Sequence, residues 1–260
     1  MNPEFENSTL RMDLNADLGE GFGVYELTAD EDLMDMVTSV NVACGFHAGD
    51  FRVMRRVAEL AVSKGVAVGA HPGFPDLQGF GRREMAMSPT DIRDMVLYQI
   101  GALDAFVTSV GATLHHVKPH GALYNMANRD DTVAAAIAMA VRDSSKGLQL
   151  YALPDSKLFQ AGVEQGLTVV PEGFADRLYL ENGQLAPRTM PGAVIEDSNV
   201  VAENAVRMAV NRMAKAVNGT LVKAHVSTIC VHGDGRNALR NAQAMKDALL
   251  AAGVTLLPTS

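Results

Sequence analysis

The sequence contains little cysteine, no long apolar stretch and no excess of positive charge. Its two cysteines, Cys44 and Cys230, lie in apolar segments without a CxxC partner, which favours buried, inert thiols in a reducing, cytoplasmic setting over a disulfide framework. No run of 18 or more apolar residues occurs, so no transmembrane helix is predicted. The formal net charge of −8 disfavours a nucleic-acid or anionic-membrane surface, but it permits a local basic pocket for a small anion.

The first eleven residues lack the apolar core of a signal peptide. We expect residues 1–11 to be a disordered extension or the remnant of a tag, and residues 12–260 to form one domain. A chain of 260 residues with 48% hydrophobic content can bury a sizeable core. Neither an internal repeat nor a linker marks a second domain.

Short apolar runs alternate along the chain with longer segments of helical periodicity. The predicted strands are residues 10–17, 39–47, 66–71, 113–120, 148–152, 167–172 and 227–232. The predicted helices are residues 51–64, 88–110, 131–142, 154–165, 197–217 and 237–252. This alternation indicates parallel strands with crossover helices, in a barrel or a doubly wound sheet. Polar residues at the strand ends favour a TIM-like (β/α) barrel of about seven strands.

Three local signals refine this picture. Ser88 and Gly65 are typical of a helix start and a helix stop, respectively. Residues 173–191 are rich in turn formers, which predicts a long functional loop with a small hairpin at Asn182 and Gly183. Apolar residues at helical spacing predict buried faces for two helices: Phe51, Met54, Val57, Ala58, Ala61 and Val62 in the first, and Met208 and Met213 in the second.

Six predicted strands lead directly into polar or ionisable side chains. Because alternate residues of a strand share a face, and because parallel strands end at one rim, we expect these side chains to converge at the barrel mouth. His115 and His225 do not fit this placement and are expected to be structural. The converging set is Asn15, Asp17, Glu20, His47, Asp50, His71, Lys118, His120, Glu172, Asp176, Arg177, His232 and Asp234.

The residue types in this set allow more than one chemistry. Carboxylates and imidazoles can activate water by general base catalysis, and lysine or arginine can stabilise an oxyanion or hold a carboxylate or phosphate. Alternatively, Asp17, His47 and His71 could bind zinc, manganese or iron. Arg82 lies in a glycine-rich segment and is a candidate anion ligand, although a solvated loop fits it equally. None of the glycine-rich segments is a Walker A loop.

Six ordered segments resemble the LamB/YcsF family: residues 13–23, 41–50, 69–76 with 79–83, 117–125, 172–177 and 230–234. The resemblance covers essentially all of residues 12–258. It implies a β/α barrel of the glycoside hydrolase/deacetylase type. It also implies a role as the A subunit of the prokaryotic ATP-dependent 5-oxoprolinase. That enzyme converts 5-oxo-L-proline to L-glutamate, hydrolyses ATP to ADP and phosphate in the presence of Mg²⁺, and needs partner subunits B and C.

Within this resemblance, the catalytic candidates are Asp17, His47, His71, Lys118 and His120. One of the first three is expected to position or deprotonate water, and Lys118, His120 and Arg177 to neutralise a carboxylate or phosphate. The candidates for substrate or phosphate binding are Asn15, Glu20, Asp50, Arg82, Glu172, Asp176, Arg177, His232 and Asp234. ATP is expected to be handled largely by the partner subunits. Two alternatives stay open: a metal-dependent amide or carbohydrate deacetylase, and a non-catalytic protein that binds a small ligand. A homo-oligomer is compatible with each of these functions.

Overall fold

Seven parallel strands close into a barrel in the structure, a computed structural model that describes residues 10–25, 30–144, 147–231 and 237–260. The strands are β1 (Arg11–Leu18), β2 (Ser39–Ala43), β3 (Ala67–His71), β4 (His116–Val117), β5 (Gln149–Ala152), β6 (Thr168–Phe174), β7 (Met213–Lys215), β8 (Leu221–Lys223), β9 (Thr228–Val231) and β10 (Thr255–Leu256). The barrel runs β1-β2-β3-β4-β5-β6-β9, and β9 pairs with β1 to close it. The predicted TIM-like barrel of about seven strands is therefore confirmed.

Helices cover the outside of this barrel. They are α1 (Asp30–Met34), α2 (Phe51–Lys64), α3 (Pro89–Ser109), α4 (Gly121–Ala127), α5 (Asp131–Ser144), α6 (Lys157–Glu164), α7 (Ser198–Val206) and α8 (Ala238–Ala251). A π-helical turn, Arg207–Asn211, extends α7. Within the described part of the chain, no helix combines the length and apolar character needed to cross a membrane.

The strands alternate between a polar inner face and an apolar outer face. In β1, Leu14, Ala16 and Leu18 are buried in the hydrophobic core of the protein, whereas Asn15 and Asp17 hydrogen-bond to side chains of other strands. This pattern is unusual, because parallel strands covered on both faces are normally apolar throughout, and TIM-barrel interiors are dominated by branched aliphatic residues. The barrel interior is therefore a hydrogen-bonded polar network.

Asp13 anchors this network near the amino-terminal end of the barrel. Its carboxylate accepts hydrogen bonds from the hydroxyl groups of Thr38, Ser39, Tyr151 and Thr228, at 2.5 to 3.1 Å. Burial raises the pKa of Asp13 despite these bonds, because desolvation disfavours the charged form. The interior is thus polar from this end to the rim where the site lies.

The predicted start and stop signals act as expected. Ser88 caps the start of α3, and Gly65, with φ of 69°, ends α2. Four members of the predicted apolar face of α2 are buried, but Phe51 and Val62 are exposed. Val53 is buried instead, since it packs beneath Gly19, where an added Cβ would lie only 3.4 Å from Val53 Cγ1.

Several predicted boundaries were wrong. The helix predicted over residues 197–217 ends at Asn211, because Arg212 takes a left-handed conformation with φ of 57° and the chain then enters β7, which pairs with β8. Met208 is buried as expected, but Met213 belongs to that strand. The predicted strands 39–47 and 113–120 shrink to β2 and β4. Arg11 fell within both the predicted extension and the first predicted strand; it begins β1, and residues 1–9 lie outside the described residues.

The loop after β6 contains the predicted hairpin. Tyr179 bridges Leu185 in antiparallel fashion, the Leu180 amide donates to the Gln184 carbonyl, and Gly183 has φ of 81°. Short elements that carry too little periodicity to be predicted complete the fold: α1, α4, β7, β8 and β10. The hairpin matters for function because the residues around it line the cavity described next.

Candidate functional site

A cavity of about 560 Å³ opens at the carboxyl ends of the barrel strands. Its floor and walls include Asp17, Glu20, His71, Arg82, Lys118, His120, Tyr124, Phe174, Arg177 and Arg188. A more open groove of about 930 Å³ lies between α7 and α8, but its lining consists mainly of alanines and polar surface side chains. Because the titratable groups converge in the barrel mouth, we take the smaller cavity as the site.

Most of the sequence-predicted residues meet at this mouth or just beneath it. Seven line the cavity: Asp17, Glu20, His71, Arg82, Lys118, His120 and Arg177. Asn15 and Glu172 are buried one layer below, and His47 is buried against His120. Asp176 follows β6, and its carbonyl accepts a hydrogen bond from the Ile195 amide. His232 and Asp234 lie outside the described residues.

Lys118 occupies the centre of the barrel. Its Nζ lies 2.9 Å from Asp17 Oδ1, 3.0 Å from Glu172 Oε1 and 3.2 Å from Asn15 Oδ1. Burial alone would lower the pKa of Lys118, but the adjacent carboxylates outweigh it and raise that pKa well above its ordinary value. Lys118 is therefore a permanent buried cation at neutral pH.

Cys230 supplies a further contact to this amine. Its Sγ lies 2.9 Å from Lys118 Nζ, and burial raises the pKa of the thiol well above its ordinary value. Burial likewise raises the pKa of Cys44 to about 12. Both cysteines are buried and free, as predicted, and a high pKa disfavours the reactive thiolate.

Glu172 links Lys118, at the floor of the site, to Tyr124 in its wall. It accepts hydrogen bonds from Asn15 Nδ2 and from the Tyr124 hydroxyl, each at 3.1 Å. Asn41 extends the network on the other side, since its Nδ2 donates to Asp17 Oδ1 at 2.9 Å and to Asn15 Oδ1 at 2.7 Å. These bonds fix the orientation of Asp17 Oδ1, so Oδ2 is the oxygen that faces His71, at 3.4 Å.

Three histidines lie side by side next to Asp17. The ring of His47 stacks on that of His120 with centroids 3.8 Å apart, and His71 meets both rings edge-on. His71 Nε2 lies 2.9 Å from His120 Nδ1. Two of these residues come from loops: His47 follows β2, and His120 follows β4 and precedes α4.

Burial sets the charge of two of these rings. It lowers the pKa of His47 well below its ordinary value, and it lowers the pKa of His120 to about 3. Both imidazoles are therefore neutral at pH 7. The sequence led us to expect that His120 neutralises an anion, but in this environment the ring offers a lone pair instead of a positive charge.

Asp50, predicted to bind substrate or phosphate, caps a helix in the structure. Its Oδ1 accepts hydrogen bonds from the amides of Arg52 and Val53 and so caps α2, while Oδ2 accepts from the Gly23 amide at 2.8 Å. The backbone bonds lower its pKa despite some desolvation. Asp50 does not line the cavity and instead ties the loop after β1 to the start of α2.

Arginines form a positive rim around the cavity. Arg82, Arg177 and Arg188 all line it, whereas Arg83 pairs with Asp76. Arg177 is buried and donates to the Ala186 carbonyl, and burial together with the positive charge of Arg188 lowers its pKa to about 10. Cations that oppose one another in this way favour an anion between them.

Sequence reasoning missed several residues of the site. Arg188 was not singled out, although it lies in the loop predicted to be functional. Asn41 could have been found by strand alternation, because it shares a face with Ser39 of β2. Tyr124 and Phe174 carry no local signal, since they reach the cavity through α4 and through the end of β6.

Comparisons with known proteins agree with this architecture. The A subunit of the 5-oxoprolinase from Tolumonas auensis is 50% identical over 246 residues, which cover 95% of this chain and 98% of that protein. The crystal structure of a lactam utilization protein from Thermus thermophilus has a TM-score of 0.92 and 47% identity, covering 96% of this chain and all of the other.

A more distant match shows the fold alone. The catalytic domain of a peptidoglycan N-acetylglucosamine deacetylase from Eubacterium rectale has a TM-score of 0.51 at 13% identity, and the match covers 100% of this chain and 91% of that domain. The sequence model of the LamB/YcsF family matches residues 12–260. The chain therefore belongs to the LamB/YcsF family.

Proposed function

We propose that this chain is the A subunit of a 5-oxoprolinase and opens the lactam ring of 5-oxoproline to give glutamate. The observation that carries this proposal is the near-complete match, at about half identical residues, to relatives named as the A subunit of 5-oxoprolinase. The structural likeness to a protein named for lactam utilization supports the same substrate class.

The cavity suits a small anionic amide. Its volume of about 560 Å³ is ample for a five-membered lactam with one carboxylate. The rim arginines Arg82, Arg177 and Arg188 would hold that carboxylate, or a phosphate, by charge-assisted hydrogen bonds. The reacting carbonyl would then point toward Asp17 and Lys118 at the floor.

Asp17 is the residue best placed to accept a proton. Lys118 and Asn41 both donate to its Oδ1. Its Oδ2 is therefore the oxygen that lies near His71 Nε2, at 3.4 Å. We assign Asp17 Oδ2 as the general base for the attacking water and Lys118 as the cation that stabilises negative charge on the oxygens bound to the attacked carbon. Glu172 keeps Lys118 in place, and Tyr124 orients Glu172.

ATP and further subunits complete the proposed activity. Transfer of the γ-phosphoryl group of ATP, with Mg²⁺, to the lactam oxygen would release ADP and make the ring carbon electrophilic. After water adds to that carbon, the C–N bond would break as the ring nitrogen takes up a proton, and a second water would hydrolyse the resulting acyl phosphate to glutamate and phosphate. The relatives are named as one lettered subunit of their enzyme, which indicates others, and we propose that partner subunits B and C carry much of the nucleotide chemistry. The residues of this chain would then bind the lactam, exclude bulk water and take up the proton.

The test is glutamate release from 5-oxoproline and ATP, measured with this chain alone and with candidate subunits B and C. We expect glutamate only when all three are present, and we expect none when Lys118→Met replaces the wild type. Lys157→Met, at an exposed ion pair with Asp131, is the matched control and should retain full activity. Absence of glutamate with folded partners would reject the substrate. Full turnover by this chain alone would reject only the need for partners.

A metal-dependent deacetylase is the second candidate, because three histidines and carboxylates meet beside the cavity. It predicts acetate release from an N-acetylated sugar by this chain alone, and its loss with a chelator. A non-catalytic protein would bind 5-oxoproline without turnover in any combination of subunits. Acetate release and ligand binding, measured on the same preparation, separate these outcomes.

A further inference from the structure

His71 and His120 each turn one ring nitrogen toward a backbone carbonyl and the other toward the partner histidine. His71 Nδ1 lies 2.7 Å from the Lys118 carbonyl, and His120 Nε2 lies 2.8 Å from the Phe80 carbonyl. A carbonyl only accepts hydrogen bonds, so each of these two nitrogens carries a proton. The other two nitrogens, His71 Nε2 and His120 Nδ1, face each other at 2.9 Å.

His47 adds a third imidazole to this cluster. The residue is fully buried, and neither ring nitrogen has a hydrogen-bond partner among the described residues. A buried polar atom without a partner costs about 1–3 kcal/mol, so such groups in native proteins commonly mark an ion or a ligand. The stacking of His47 on His120 places its ring beside the same two histidines.

Glu20 completes a set of four donors. One ligand atom each from Glu20, His47, His71 and His120 can be chosen such that all four lie within 4.8 Å of one another. Asp17 Oδ2 lies close by, 3.4 Å from His71 Nε2. Glu20 Oε1 lies 3.9 Å from His120 Nδ1, so two carboxylates flank the histidines.

We propose that Glu20, His47, His71 and His120 bind one divalent transition-metal ion of the zinc, iron or manganese class. Three imidazoles and one carboxylate are the donors that such ions prefer, whereas Mg²⁺ and Ca²⁺ prefer oxygen ligands alone. The backbone carbonyls that accept from His71 and His120 match the usual outer contacts of metal-bound histidines. The set differs from the one predicted from sequence, because Glu20 and His120 join His47 and His71 while Asp17 stays beside them as the base.

Two glycines allow the main chain to pack closely against the rings of His47 and His120. A Cβ at Gly73 would lie 2.5 Å from His47 Nδ1, and a Cβ at Gly81 would lie 2.7 Å from His47 Cβ and 2.9 Å from His120 Cδ2. Gly81 also has φ of 63°, which L side chains rarely adopt. Any larger side chain at these two positions would therefore displace the rings of His47 or His120.

The proposal concerns binding and does not depend on the lactam reaction. Chelator-treated, dialysed protein is titrated with Co²⁺, whose visible absorption reports its ligands, and with Zn²⁺ in calorimetry and thermal unfolding. We expect one ion per chain and a higher Tm with Zn²⁺ but not with Mg²⁺. His47→Gln and His120→Gln should weaken binding at least about 100-fold. His225→Gln, at an exposed histidine outside the cluster, should leave binding unchanged.

Two results would overturn the proposal: no saturable binding of Co²⁺ or Zn²⁺ to the wild type, or equal binding by the cluster variants and His225→Gln. Circular dichroism and the metal-free Tm establish that each variant is folded. If His47→Gln fails to fold, two other measurements test the proposal: Zn²⁺ binding by Glu20→Gln, and the difference between Zn²⁺ and Mg²⁺ binding by the wild type. A chain that binds Zn²⁺ but releases no glutamate supports the metal site while rejecting the proposed function.

Discussion

Lys118 Nζ and Glu172 Oε1 lie 3.0 Å apart in the barrel interior, with both side chains almost wholly shielded from solvent. Strand β5 lies between β4 and β6 in the sheet, so the two side chains meet across the interior and not along neighbouring strands. Asp17 approaches the same ammonium from β1. One cation thus contacts two carboxylates from distant parts of the chain.

Replacing Lys118 should damage stability as well as activity. Lys118→Met leaves Asp17 and Glu172 as buried charges without their cation, which costs about 3–5 kcal/mol in the free energy of unfolding. The double variant Lys118→Met/Glu172→Gln should recover part of that loss, because one of the two charges is removed as well. Urea unfolding of the wild type and both variants measures this. Equal losses in the single and double variants would show that an unpaired charge on Glu172 is not the cause of the loss.

Gly73→Ala should disturb the histidine cluster selectively. The new Cβ would lie 2.5 Å from His47 Nδ1, and such overpacking costs about 1–3 kcal/mol. We expect lower stability together with weaker Zn²⁺ binding. Gly101→Ala is the control, since Gly101 lies within α3 with nothing within 4 Å of its added Cβ and should gain about 0.5–1 kcal/mol. Gly73→Ala protein with unchanged metal affinity would contradict the packing argument.

Because His116 is buried, the free energy of unfolding of the protein should fall as the pH is lowered. Burial lowers the pKa of this ring well below 6.5, so below that pH the unfolded chain takes up a proton that the folded chain excludes. The free energy of unfolding should therefore decrease as pH falls from 6.5, by up to about 1.4 kcal/mol per pH unit from this group. His116→Gln should show a shallower dependence in urea unfolding at several pH values. Parallel curves for the two proteins would refute this assignment.

Arg188→Gln should weaken substrate binding without affecting the fold. A charge-assisted hydrogen bond is worth about 1.5–3 kcal/mol, which corresponds to an increase of roughly 10–100-fold in KM for 5-oxoproline. The measurement is steady-state glutamate release in the presence of subunits B and C. Arg142→Gln, an exposed position that pairs with Asp143, provides the control. An unchanged KM would remove Arg188 from the proposed anion site.

Variants at Asp50 distinguish a structural role of this residue from a binding role. Asp50→Ala removes the cap of α2 and should lower the free energy of unfolding by about 1 kcal/mol while leaving kcat/KM unchanged. Asp50→Ser keeps a capping oxygen and should restore most of that stability. Thermal unfolding and the glutamate assay are run on both variants. A large fall in activity of Asp50→Ser with normal stability would restore the binding role predicted from the sequence.

Local patterns were reliable where the cause is local. Helices α2, α3, α5 and α8 were predicted close to their observed bounds, because caps and apolar periodicity act within a few residues. The end of α7 was missed, since it depends on the pairing of β7 with β8. The exposure of Phe51 was missed as well, because periodicity defines a face of a helix but not how much of that face the barrel covers.

Residue order alone establishes the β/α alternation, the polar side chains at the strand ends and the family. Each of these follows from periodicity, from alternation along a strand or from motif resemblance. The folded barrel was needed to learn which of those side chains meet: that Lys118 reaches Asp17 and Glu172, that His120 joins His47 and His71, and that Asp50 caps a helix instead. The reason is physical, because most of these contacts join strands and loops far apart in the chain and form only once the barrel has closed.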